Sequence, residues 1–105
     1  MLFRSQSSYR HAHSRHDEFV YVLSGEVVLE TDAGEQLLSA GMCAGFPAGS
    51  GDAHRFLNRS QADAELLVVG DVFPGDEVSY PDVDMQGRLA EDGSFRVLHK
   101  DGTPY

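Results

Sequence analysis

Short apolar clusters, each cut off by a glycine or a polar turn, constrain this chain more than any other feature. The clusters "EFVYVLSG" (18–25), "EVVLET" (26–31), "EQLLSAG" (35–41) and "AELLVVGDVF" (64–73) are rich in β-branched and aromatic residues, which suit a pleated surface. Apolar positions do not recur at helical intervals, and turn residues return about every ten positions, the pattern of an all-β sandwich or barrel. The second and third clusters, joined through "DAG" (32–34), read as a hairpin. Within "EFVYVLS", Glu18, Val20 and Val22 point one way and Phe19, Tyr21 and Leu23 the other, so both faces of the strand need cover. One face can line a barrel; the other is expected to meet a second copy, because 105 residues supply one core and not two.

The expected organisation is one domain over 1–105, with its structural core in 9–73 and an acidic tail in 74–105. Proline, glycine and aspartate accumulate in that tail, which predicts irregular structure with one late strand at "FRVLH" (95–99) and acids on a solvated surface. Seventeen acids against eight Lys and Arg give a net charge of -9, which repels phosphate backbones and anionic lipid and argues against nucleic acid or membrane as partners. No run of about 18 apolar residues is present. The start "MLFRSQSSYR" lacks the apolar stretch of a secretion signal, so a cytoplasmic protein is expected. The single cysteine, Cys43, has no second thiol to pair with and is read as a small buried hydrophobe.

Three of the five histidines lie in "HAHSRHDE" (11–18). On an extended strand through "YRHAH" (9–13), His11 and His13 share a face about 6.6 Å apart, where they either converge on one ion or both face water. Glu18 has the wrong parity for a straight strand, unless the polar insert "SRHD" (14–17) turns or bulges and resets the register. In "HRFLN" (54–58), His54, Phe56 and Asn58 share a face, and His54 joins the first group only if the fold brings the two segments together. His16 is read as a solvated loop histidine, and His99 carries no assigned role. Arg10 and Arg55 flank the candidate ligands but alternate away from them, onto the exterior. Phe19, Tyr21, Phe46, Phe56 and Leu66 are read as core or interface.

Residues 11–25 follow H-x-H-x(4)-E-x(6)-G through His11, His13, Glu18 and Gly25. Residues 41–58 follow G-x(5)-P-x-G-x(4)-H-x(3)-N through Gly41, Pro47, Gly49, His54 and Asn58. Together, in this order, they resemble the two motifs of the cupin superfamily, and "YPDVD" (80–84) and "KDGTPY" (100–105) resemble the tails of small bacterial single-domain members. The resemblance implies a jelly-roll β-barrel, commonly dimeric, with one divalent transition metal (Fe, Mn, Zn or Ni) held by His11, His13, Glu18 and His54. It assigns the glycines and Pro47 to turns and Asn58 to a structural role. Ser5 stands where the first motif normally opens with glycine, and the second motif carries an extra residue between Gly49 and His54. Few residues precede His11, so the expectation is either an incomplete barrel or one whose open N-terminal edge is covered by a partner chain.

Three neutral imidazoles and one carboxylate leave a divalent ion with positive charge and open coordination positions. Iron there suits dioxygen chemistry on an oxygen-bearing substrate; zinc, manganese or nickel suits polarising a carbonyl for isomerisation. A metal-dependent dioxygenase or isomerase acting on a small oxygen-bearing ligand is the functional expectation, with no separate acid–base pair in view. The same residues also allow a non-catalytic binding or sensing module with a structural metal.

Overall fold

The computed structural model describes residues 2, 3 and 5–105, the first two by backbone alone. Eleven strands and no helix are found among the described residues: β1 (Leu2–Phe3), β2 (Ala12–His13), β3 (Glu18–Ser24), β4 (Glu26–Thr31), β5 (Gly34–Ser39), β6 (Cys43–Phe46), β7 (Arg55–Leu57), β8 (Ala64–Gly70), β9 (Glu77–Tyr80), β10 (Met85–Leu89) and β11 (Phe95–Leu98). They form three antiparallel sheets, ordered β1-β8-β3-β6, β5-β4-β7 and β11-β10-β9-β2. The expected all-β architecture, including the β4–β5 hairpin, is therefore observed. One short strand, β1, stands ahead of His11, paired with the edge of β8.

The core lies between the first two sheets. Val20 and Val22 from β3 and Ala64 and Leu66 from β8 meet Val27 and Leu29 from β4, with Leu38 and Phe56 completing the cluster. In β3, Val20 and Val22 alternate with Phe19, Tyr21 and Leu23, which face away from this core. In the β3–β8 ladder, Phe19 lies opposite Val69 and Tyr21 opposite Leu67. Phe19, Leu23, Leu67 and Val69 are exposed there, an uncovered apolar face within this chain. Cys43 corrects the expectation of a buried thiol: β6 turns Ala44 and Phe46 toward the core, and parity places Cys43 on the opposite, exposed side.

The tail also departs from expectation. The late strand at Phe95–Leu98 is present, but β9 and β10 precede it, and the three form a meander. "EVSY" and "MQGRL" carry too few apolar residues to stand out as strands; their pairing is stabilised by neighbours far away in sequence. In particular, β9 pairs with β2, with Ala12 opposite Ser79 and His13 opposite Val78. The segment expected to be irregular thus holds the strand that carries a candidate ligand.

Candidate metal centre

The two histidine segments are joined directly through their backbones. His11 N–H donates to His54 O at 3.0 Å and His54 N–H donates to His11 O at 2.9 Å. A hydrogen-bonded antiparallel pair puts both side chains on one face, and the two imidazole centroids are 4.8 Å apart. His13, two residues on, keeps that face, with its ring 5.3 Å from that of His11.

The polar insert resets the register as the parity argument required. Asp17 accepts the Ala48 N–H at 2.7 Å, and its own N–H donates to Asp71 at 2.9 Å, which pins the insert to two neighbouring loops. Glu18 then opens β3 with its carboxylate turned inward, Oε1 lying 3.1 Å from His54 Nε2. Phe46 stacks on the buried His54 ring at 3.6 Å and 9°, closing one side of the cluster to water. His11, Glu18 and His54 each offer a ligand atom, all within 4.8 Å of one another.

The Nδ1 atoms of His11 and His13 are committed elsewhere. His11 Nδ1 donates to Tyr9 O at 2.9 Å, which leaves its Nε2 as the lone-pair nitrogen. His13 Nδ1 lies 2.7 Å from Asp76 Oδ2, and its Nε2 faces Glu18 Oε2 at 4.0 Å. His54 Nδ1 is buried without a hydrogen-bond partner. Such an orphan costs about 1–3 kcal/mol, a cost a fold bears where the rest of the ring has work to do. The donor set, three imidazoles and a carboxylate with Nε2 of His11 and His13 available, fits a divalent transition metal.

His13 also belongs to a second group, with His16 and Asp76. His16 corrects its reading as a solvated loop residue. Its ring stacks on His13 at 5.1 Å and 17°, and its Nε2 accepts the Phe73 N–H at 2.8 Å. Asp76 has no counterpart among the expected site residues, because it sits in a run of acids that reads as surface; the structure leaves it only 1 % exposed. Arg10 and Arg55 lie outside the cluster as expected, Arg10 paired with Asp82 and Asp32, Arg55 with Glu30.

Protonation favours a neutral His11 and anionic Glu18 and Asp76. Burial pushes His11 below its ordinary value, outweighing the hydrogen bond to Tyr9. The hydrogen bond from His54 holds Glu18 below the ordinary carboxylate range, against burial. Burial pushes Asp76 up, but the hydrogen bonds from His13 and the Arg15 N–H together outweigh it and leave it low.

A void of about 10 Å³ lies among His13, Glu18 and His54, room for one small ion or water. On the barrel side, His11, Glu18 and His54 face a cavity of about 160 Å³. Two roomier cavities lie beyond the cluster: one of about 300 Å³ touches it through His13, and one of about 250 Å³ adjoins the first. They share Gly51, Ser79 and Gln86 in their walls, so they form one groove running from His13 to Tyr80 and Lys100.

Residues 4–70 match the Cupin domain family. The structure is similar to that of a sugar phosphate isomerase from a cupin superfamily of Silicibacter pomeroyi, at 42% identity and a TM-score of 0.91, covering 99% of this chain and 67% of that one. A Thermus thermophilus protein is similar at 39% identity over 69% of this chain and 67% of its own, with a TM-score of 0.59. An Acidithiobacillus ferrooxidans protein, 24% identical with a TM-score of 0.84 over 99% of this chain and 67% of its own, shares the fold. No curated protein matches the chain.

Proposed function

The chain belongs to the cupin family, and from that premise we propose that it holds a divalent transition metal through His11, His13, Glu18 and His54 and isomerises a small hydroxy-carbonyl substrate of the sugar phosphate class. The carrying observation is the convergence of His11, Glu18 and His54 from three separate segments within 4.8 Å, with Nε2 of His13 turned to the same carboxylate. The substrate class rests on the 42% identity to the Silicibacter pomeroyi isomerase. That identity favours isomerisation over dioxygen chemistry.

A bound divalent ion would polarise the substrate carbonyl as a Lewis acid. The protein's own residues do the rest. Glu18 supplies the single negative charge of the ligand set, so the centre keeps its positive character. Phe46 shields His54 from water. Tyr80, whose ring lies 6.0 Å from that of His11, has its hydroxyl pushed up by burial, so it stays protonated and can donate to a substrate oxygen. Ser79, Gln86 and Lys100 line the same groove with a hydroxyl, an amide and a cation. The reading includes a homodimer, in which a second copy covers the apolar face around Phe19 and Leu67. That face is apolar at Phe19, Tyr21, Leu23, Leu67 and Val69, with Glu65 at the Ser24 end of the ladder.

The test is elemental analysis of protein purified without added metal or a histidine tag, followed by incubation with aldose and ketose phosphates under 13C NMR. Interconversion by the wild type and its loss in His54→Ala are expected. Bound metal with no turnover across the panel would move the function to a binding module; no metal taken up on titration would overturn the site.

A further inference from the structure

Asp76 lies just ahead of β9, 63 residues from His13, yet its carboxylate is sealed against that histidine. Its two oxygens have separate partners. Oδ1 accepts the backbone N–H of Arg15 at 2.8 Å and of His16 at 3.3 Å, and so shapes the insert. Oδ2 faces His13 Nδ1 at 2.7 Å. An ionised carboxylate only accepts, so Nδ1 must carry the proton of the neutral ring and Nε2 must present its lone pair. That Nε2 is the atom facing Glu18.

The second group, His13, His16 and Asp76, is itself poorly placed to hold an ion. His16 Nε2 is taken by the Phe73 N–H at 2.8 Å, which leaves His16 Nδ1–H directed at Asp76 Oδ2 at 3.5 Å. His13 Nδ1, His16 Nε2 and both Asp76 oxygens are thus engaged in hydrogen bonds, and the group supports a neighbouring centre.

We propose that Asp76 is a positioning residue for the metal centre: it fixes the tautomer and ring orientation of His13 so that Nε2 is ready to ligate before any metal arrives. This rests on the proposed metal-binding role of His13. Partners of this kind typically change metal affinity by about 10- to 100-fold when removed. They act through the ligand they orient and do not touch the metal.

Asp76→Asn separates the two roles. The amide oxygen can still accept from Arg15 and His16, whereas the amide NH2 now faces His13 Nδ1. A hydrogen bond there requires Nδ1 to accept, which moves the proton to Nε2 and blocks the ligating atom. The experiment is Zn²⁺ competition with a fluorescent chelator, together with 15N NMR of the histidine rings in metal-free protein. Expected are a wild-type His13 protonated at Nδ1, a variant protonated at Nε2, a Zn²⁺ affinity lowered about 10- to 100-fold and a metal-free variant that still unfolds cooperatively.

A wild-type His13 carrying its proton on Nε2 overturns the proposal without recourse to the variant, which covers the case in which Asp76→Asn does not fold. Wild-type protein that binds Zn²⁺, with a variant that binds it equally well, overturns the role of Asp76 and leaves the metal centre standing. Wild-type protein that takes up no Zn²⁺ overturns both.

Discussion

Gly25, the motif glycine between β3 and β4, combines two constraints that a single substitution can expose. Its φ is +81°, and a Cβ built there would lie 2.8 Å from Asp63 O and 3.0 Å from Ala64 Cα. Both neighbours are backbone atoms at the start of β8, so no side chain can swing aside to relieve the contact. Gly93 is the matched control, with φ +85° and nothing within 4 Å of its Cβ position. Gly93→Ala carries only the left-handed backbone cost of about 1–2 kcal/mol, offset by about 0.4–1 kcal/mol from the stiffer unfolded chain. Gly25→Ala carries the same difference plus a clash of the overpacking kind, about 1–3 kcal/mol. At about 4–8 °C per kcal/mol for a domain near this size, Gly93→Ala should melt within several degrees of wild type, and Gly25→Ala roughly 10–20 °C lower. The assay is calorimetry of both variants in EDTA, which removes stabilisation by bound metal. Equal melting temperatures for the two variants would refute the clash and with it the close approach of the β3–β4 turn to β8.

Two further expectations concern acid and assembly. Burial holds His11 below its ordinary value of 6.5 in the fold. The unfolded chain therefore binds that proton first, and stability of the metal-free protein should decline as pH falls below about 6.5. Glu18 and Asp76, both held low, add a contribution that is present above their ordinary values of 4.5 and 3.8 and is lost as pH falls through their folded values. Urea midpoints that rise on acidification from neutrality would contradict this. Metal affinity should fall over the same histidine range, because ligating imidazoles must be neutral. For the second copy, light scattering should give a dimer for wild type and a monomer for Phe19→Glu; a monomeric wild type would remove the dimer from the reading.

How much of this was legible in the sequence follows from where each constraint is written. The barrel strands carry their own signal: β3, β4 and β8 are apolar runs rich in β-branched residues, and the period of two in β3 separates Val20 and Val22 from Phe19, Tyr21 and Leu23, while which set is inward is decided by the packing. The reading of Cys43 as buried rested on residue type alone, whereas the side it faces depends on strand phase, and the phase of a four-residue strand depends on its partner. For β6 the phase is set by pairing with β3, where Cys43 lies opposite Tyr21. The tail strands β9 and β10 have weak local patterns and exist through ladders to each other and to β2, information that a reading along the chain does not contain.

The site divides in the same way. His11 and His13 declare themselves by spacing, and Glu18 by the polar insert that corrects its parity. His54 could be tied to them only through motif order, and the reciprocal backbone pair between His11 and His54 supplies the physical link. Asp76 could not be found from composition, since it is one of 17 acids in a chain of net charge -9 and nothing local separates it from its solvated neighbours. What distinguishes it is burial, and burial arises because the β2–β9 ladder carries it under the insert. A carboxylate sealed at that position is costly to bury unless it is well hydrogen-bonded. The partners observed, one imidazole and two backbone amides, are what the insert and the histidine strand offer together. The same ladder thus closes the third sheet and aims His13, so a lesion in β9 should disturb the metal centre before it disturbs the core.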